Sequence, residues 1–206
     1  MERISARIAG ELLAHEGIVR EAYRDSVGVW TWSVGLTDAC GHAVGRYRDN
    51  PQPLAHCLAV FVWALRTRYL PQVLAAFDGR TLTEAQLGAA ISFHWNTGAI
   101  TRAEWVRRFR NGDEAGAREA IMQWCRPRAL LKRRKAEQAL FFDGRWHRDG
   151  FALVYDVAKP SYRPVKGKRV AVGDILAQIM EQAPPQAVAA DGGLPARPNW
   201  FERLFA

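Results

Sequence analysis

At 206 residues, 49% hydrophobic and 24% charged, the chain has the make-up of an ordinary soluble globular protein, long enough for one main domain and an appendage. Its net charge of +8 and pI near 9.9 imply an anionic partner, whether nucleic acid, a membrane surface or an acidic cell-wall polymer. Cys40, Cys57 and Cys125 lack the spacing of a zinc site or a closed disulfide framework, and reduced, mostly buried thiols are expected. The opening MERISARIAGELLAHEG carries Glu2, Arg3, Arg7 and Glu11 where a signal peptide needs an apolar run, and no 18-residue apolar stretch follows.

Residues 3 to 16 read as an amphipathic helix, with Ile4, Ile8 and Leu12 at four-residue spacing and Gly17 as its cap. Glu16 then stands in the last turn, where the negative end of the helix dipole favours a protonated carboxyl. A turn follows at Asp25-Ser-Val-Gly28, and the alternating run Val29 to Val34 reads as a strand with Thr31 on the face opposite Trp30 and Trp32. Each of the three polar residues has an ordinary reading as well: Glu16 as an exposed helix end, Asp25 as a turn residue that bonds its own backbone, Thr31 as a strand former. A second turn at Thr37 to Gly41 suggests a small two- or three-stranded sheet ending near Tyr47.

From Pro53 the pattern is helical for about ninety residues. Leu54, Leu58, Phe61, Val62, Leu65 and Tyr69 make one stripe that Pro71 should stop. Thr83 to Gln86 is a capping box opening a helix to about Trp95, and Thr101 to Glu104 reads as a second box. Asn111-Gly112 ends that helix, Asp113 caps the next, Pro127 closes it, and a last helix runs from about Ala129 to Phe142. Small sheet plus capped helices is an α+β layout with a cleft between the two parts.

Beyond Gly150, Phe151 to Val157 reads as an edge strand, Pro160 to Arg169 as a basic loop, and Asp174 as the cap of a helix through Met180. Residues 184 to 199 form a proline- and glycine-containing linker before the aromatic tail Trp200 to Phe205. The organisation expected is thus a body of residues 1–150, an extension of residues 151–183 packed on it, and a linker with tail over 184–206.

His15, His42, His56, His94 and His147 show no metal-ligand spacing, and no cofactor motif accompanies them. Lys132-Arg-Arg-Lys135 is a charge run on a helix, read as a solvated face or an anion-binding one. The most suggestive chemistry lies in Glu16 to Thr31, two carboxylates nine residues apart with a hydroxyl six further on. A facing pair of carboxyl groups is what hydrolysis of a glycosidic bond requires.

That spacing, within EG…AYRDSVGVWT, resembles the phage-type lysozymes of glycoside hydrolase family 24, the muramidase endolysins. AAISFHWNTGAI at residues 89 to 100, FRNGD at 109 to 113 and RRKAEQALFFDG at 133 to 144 extend the resemblance in the same order over roughly residues 10 to 145. It implies a lysozyme-like α+β fold and hydrolysis of the β-1,4 bond between N-acetylmuramic acid and N-acetylglucosamine. It further implies Glu16 as general acid, Asp25 as second carboxylate, Thr31 as the hydroxyl that places water or sugar, Asn96 as a substrate-binding amide, and Arg133 as an ion-pair partner of Glu16. Where the family follows its threonine with a glycine-rich strand, Trp32-Ser33 stands here, which touches the sugar-binding floor rather than the triad. Inversion or retention stays open, because separations of roughly 6.5–9.5 Å or 5–5.5 Å decide it.

The expected partner is bacterial peptidoglycan, with no nucleic acid, no stable membrane insertion and no cofactor or metal. The chain would act as a monomer held in the host bacterial cytoplasm until a holin-like permeabilising protein releases it to the wall. Two rivals remain, a chitin or chitosan hydrolase and a non-catalytic wall-binding or phage structural protein of the same fold.

Overall fold

The structure, a computed structural model, describes residues 3–147 and 149–181. The expected linker and tail at 184–206 lie outside the described residues. Sheet and helices make the α+β architecture expected, divided into two compact units: residues 65–147 with residues 3–4, and residues 5–64 with 149–181.

The second of these begins with α1 (Ala6–Leu13), whose first turn is closed by the Ser5 hydroxyl accepting from the Ile8 N–H at 3.1 Å. Ile8, Leu12 and Leu13 are buried. The regular helix is shorter than its periodicity predicts, but i→i+3 bonds carry the coil onward, His15 N–H to Leu12 O at 3.0 Å and Glu16 N–H to Leu13 O at 3.3 Å.

A strand, β1 (Gly17–Arg24), follows directly where the sequence suggests none. Its burial does not alternate, because the pairing with β2 (Trp30–Ser33) shifts register between Val19 and Tyr23. The bulge frees the Arg20 carbonyl, which accepts from the Trp32 Nε1–H at 3.0 Å and the Gln52 N–H at 2.8 Å. Past the bulge Tyr23 faces Thr31 and Arg24 faces Trp30. Trp32 stacks on Tyr47 at 3.8 Å, and the Tyr47 hydroxyl lies between His42 Nε2 at 2.7 Å and His56 Nε2 at 3.1 Å.

The sheet is not completed near Tyr47, where the chain makes short 3-10 turns at Asp38–Cys40 and Val44–Tyr47. Its remaining strands are β3 (Phe151–Ala158) and β4 (Arg163–Ala171), giving the order β2-β1-β3-β4. The expected edge strand β3 is therefore internal, parallel to β1 through Ile18↔Val154 and antiparallel to β4. The expected basic loop is the edge strand itself: Pro164, Gly167 and four cations hide a ladder that backbone pairing sustains. Within the unit, α2 (Leu54–Ala64) and the closing helix (Gly173–Glu181) pack together, and the latter also meets α1.

In the other unit Pro71 does not stop the helical run. After a π turn at Leu65–Tyr69 it stands in the first turn of α3 (Leu70–Phe77), where a missing N–H is no loss. The Thr83 box is present in both halves and opens α4 (Glu84–Thr97), Gln86 N–H to Thr83 Oγ1 at 3.2 Å and Thr83 N–H to Gln86 Oε1 at 3.0 Å. The second box does not form. Thr101 lies in a 3-10 turn, Ala103 precedes α5 (Glu104–Arg110), and Glu104 bonds Arg107 at 2.6 Å and Arg108 at 2.9 Å. Two charge-assisted bonds outweigh one backbone amide. Asp113 caps α6 (Glu114–Ile121) as expected, with Gly116 N–H at 2.8 Å, and α7 (Leu131–Asp143) ends at Gly144 with φ 65°. The helix Gly173–Glu181 is α8.

The join of β4 to the sheet is tight at one point. A Cβ on Gly167 would stand 2.7 Å from Tyr155 Cε1, and Tyr155 packs on Val19 and Tyr23 in a small buried cluster. Gly167→Ala is expected to lower stability by about 1–3 kcal/mol through overpacking, measured as a lower midpoint in thermal or urea unfolding.

Candidate active site

Glu16, Asp25 and Thr31 all belong to the unit built on the sheet, and all three are buried. Glu16, only 4% exposed, closes the last turn after α1 and leads into β1. Asp25 follows the last residue of β1, and its placement is governed by the hairpin: Oδ1 accepts from the Val27 N–H at 3.0 Å and the Val29 N–H at 2.8 Å. The backbone closes the same turn, Gly28 N–H to Asp25 O at 3.0 Å and Asp25 N–H to Val29 O at 3.1 Å. Gly28 has φ 84°, a left-handed conformation that a side chain disfavours. Among the described residues Asp25 Oδ2 makes no hydrogen bond, so one oxygen holds the turn and the other is available for chemistry.

Thr31 pairs with Tyr23 across the hairpin. Its hydroxyl donates to Val29 O at 3.2 Å, which spends the only hydroxyl proton and leaves lone pairs able to accept. Trp30 is half-buried on the other face of β2, against Tyr162 at a centroid distance of 5.1 Å. The alternation read from the sequence therefore separates Thr31 from Trp30, as pleating requires.

Asn96 and Arg133 belong to the helical unit. There Glu137 Oε1 accepts from Ser92 Oγ at 2.6 Å and from Arg133 Nε at 3.0 Å, while Oε2 accepts from Arg134 Nη1. Arg134 Nη2 reaches Asn96 Oδ1 at 2.6 Å, and its Nε reaches Trp124 O at 3.2 Å. Arg133 Nη2 also meets Ser92 O at 3.2 Å. The run at 132–135 is thus split, with Lys132 and Lys135 exposed and Arg133 and Arg134 buried. Burial draws the Arg134 guanidinium below its usual range, with Glu137 opposing the shift. Ser92 and Glu137 stand outside the sequence-predicted site residues, although a glutamate three and four residues after two arginines is a helix-pair signal. No group of three or more metal-ligating His, Cys, Asp or Glu residues occurs among the described residues.

A family model described as Phage lysozyme matches residues 13–137, a span that takes in Glu16, Asp25, Thr31, Asn96 and Arg133 and stops before β3. The chain is similar to the SAR-endolysin of Escherichia phage Mu, 31% identical over 140 residues that make up 63% of this chain and 75% of that protein. Among solved structures it resembles the endolysin from the Escherichia coli O157:H7 phage FAHEc1, with a TM-score of 0.60 at 20% identity, covering 71% of this chain and 98% of that one. It likewise resembles P22 lysozyme, with a TM-score of 0.57 at 25% identity, covering 68% and 99%.

One buried group beside Asn96 on α4 gives the helical unit an acid limit. His94 is 2% exposed, neither ring nitrogen has a hydrogen-bond partner among the described residues, and burial pushes its pKa down to about 4. A histidine lowered in the folded state binds its proton more readily once unfolded, so its contribution is intact above the unfolded value of 6.5 and is lost as pH falls towards about 4. The expected loss is on the order of 3 kcal/mol between neutral pH and pH 4. Urea unfolding across that range should show it, and His94→Leu should flatten that part of the acid limb.

Proposed function

This chain belongs to the phage lysozyme family and is a peptidoglycan-degrading muramidase, and from that premise we propose how its own residues divide the work on the β-1,4 bond between N-acetylmuramic acid and N-acetylglucosamine. Glu16 protonates the leaving glycosidic oxygen as general acid. Asp25 is the second carboxylate, charged and held beside the developing oxocarbenium-like centre. The observation that carries this reading is the split use of Asp25, with Oδ1 committed to the Val27 and Val29 amides while Oδ2 makes no hydrogen bond among the described residues.

Thr31 complements that oxygen. Its proton is given to Val29 O, so it can hold a water only by accepting from it. A water that donates one hydrogen to Asp25 Oδ2 and the other to Thr31 Oγ1 keeps its oxygen lone pairs for attack. Pre-positioning of this kind is worth far more than the two bonds themselves, because it removes orientational freedom before the reaction. Asn96 and Arg133 are proposed as support from the helical unit, Asn96 as a substrate-binding amide fixed through Arg134, and Arg133 as a supporting ion-pair cation held in place by Glu137 and Ser92.

Two substitutions separate these roles. Glu16→Gln keeps shape and removes the acid, and activity on purified peptidoglycan should fall by several orders of magnitude with the fold intact. Asp25→Asn retains an oxygen for the Val27 and Val29 amides but loses the charge. It should therefore lose about 10²–10⁴-fold in rate with little change in melting temperature. Reducing-end release with circular dichroism on the same samples checks both, and wild-type activity in either variant sinks the assignment.

No helix among the described residues is long and apolar enough to cross a membrane, and α1 carries Arg7 and Glu11 as part of the folded unit. We infer that the enzyme reaches the wall with the help of a separate permeabilising protein. Induction of the chain alone in a bacterial host should give viable cells that lyse when the membrane is opened, and prompt lysis without that help overturns the inference.

A further inference from the structure

We propose that the β3–β4 hairpin carries a second, non-catalytic binding surface for the carboxylates of a peptidoglycan strand, running from Arg24 along Arg163, Lys166 and Lys168. The choice of polymer rests on the muramidase reading; the surface itself rests on geometry. The family match ends at residue 137, so both strands of this hairpin lie outside the matched span.

The hairpin tip is tied to the strand that delivers Asp25. The Arg24 N–H donates to Tyr162 O at 2.8 Å, across from the Arg24↔Trp30 pair. On that face the Arg24 guanidinium lies 4.1 Å from the Trp30 ring centroid and bonds Gly28 O through Nη1. Arg48 stands over Trp30 at 5.3 Å and over Tyr162 at 5.0 Å, with its Nε on the Tyr162 hydroxyl at 3.3 Å. Stacking on aromatic rings fixes the plane of a guanidinium without neutralising it, and leaves its outer N–H edge for an incoming oxyanion.

Charge sorts the cations of this region into two sets. Asp49 answers Lys159 at 2.6 Å and Arg48 at 3.5 Å, Glu21 answers Lys159 as well, and Asp149 answers Arg169 at 2.5 Å. By contrast Arg24, Arg163, Lys166 and Lys168 are exposed and make no ion pair among the described residues. From Arg163 to Lys168 the strand advances roughly 16 Å, the reach of a polymer with repeated charges rather than of one small ion. Peptidoglycan presents such carboxylates on its stem peptides, and an uncharged chitin chain does not.

Lysines on an edge strand also discourage pairing with another sheet. That purpose accounts for Lys166 and Lys168, but it requires neither Arg24 on another strand nor a paired aromatic platform beside it.

The test uses the full chain carrying Arg163→Gln, Lys166→Asn and Lys168→Gln together. Asn is chosen at 166 because the backbone there has φ 55°, which Asn tolerates. Co-sedimentation on ice with insoluble peptidoglycan stripped of phosphate polymers, across a salt series, should show binding weakened about ten-fold and a flattened salt dependence. Amidating the peptidoglycan carboxylates should weaken wild-type binding at least as much as the three substitutions do, and should cost the variant much less, because Arg24 alone of the surface remains to be affected. Arg24→Gln alone should show a smaller loss in the same direction. The proposal is overturned if the variant binds like wild type, if amidation leaves wild-type binding unchanged, or if the variant self-associates in light scattering with binding intact. Because binding is read without turnover, a wild type that binds but does not cleave removes the muramidase reading alone.

Discussion

The pair of amides on Asp25 Oδ1 is the contact on which the sheet-bearing unit of this molecule depends. The Val27 and Val29 N–H groups at 3.0 and 2.8 Å define the hairpin turn, and the turn defines which residues face each other along β1 and β2. Tyr23 meets Thr31 only because the turn is this length, and a slip of one residue would carry the threonine hydroxyl to the opposite face. The same carboxylate thus fixes its own position, sets the register that places Thr31, and keeps one oxygen for a second task. A residue used this way resists substitution by anything without an acceptor at the same point.

The helical unit solves a different problem. Two guanidinium groups, Arg133 and Arg134, are buried with one carboxylate, Glu137, an arrangement whose desolvation penalty Coulomb attraction alone does not repay. Part of the balance comes from neutral oxygens, with Ser92, Asn96 and the Trp124 carbonyl each taking a further N–H group. Each bond also constrains a side chain, so Asn96 and Arg133 are held in fixed geometry on α4 and α7. Such a network favours a single arrangement over a softer apolar core, at some expense of stability.

Much of this was legible in the sequence wherever local rules acted alone. The Thr83 box, the Asp113 cap, the order of the helices and the separation of Thr31 from Trp30 all follow from short-range patterns. The order Glu16, Asp25, Thr31 was legible as a resemblance, and the turn chemistry of Asp25 from its position before Gly28. Readings failed where a non-local contact overrode the pattern. Strand β1 is masked because its bulge breaks the period-two signal, and β4 because a proline, a glycine and a run of cations look like a loop when the pairing partner is unknown. The Thr101 box lost Glu104 to two arginines. The basic run on α7 looked uniform in charge, yet the helix turns half of it inward, where only three-dimensional neighbours decide which half.

The failure at β4 is informative about the appended segment. Without residues 151–171, β1 would present an unpaired edge on the side opposite β2, from Gly17 to Val19, where β3 now pairs, and at Arg24, whose N–H now bonds Tyr162 O. An open edge of that kind invites pairing with another chain. Adding β3 parallel to β1 closes it, and the antiparallel return moves the exposed edge outward to β4. That strand is guarded by Lys166 and Lys168 and by the register shift in its pairing with β3. The charges that protect the new edge cannot at the same time be paired away, since paired cations would no longer repel a second strand. An edge defended by unpaired cations is therefore also an edge that attracts anionic polymers, and in a chain of net charge +8 that works on a carboxylate-bearing wall the two consequences need no separate evolution.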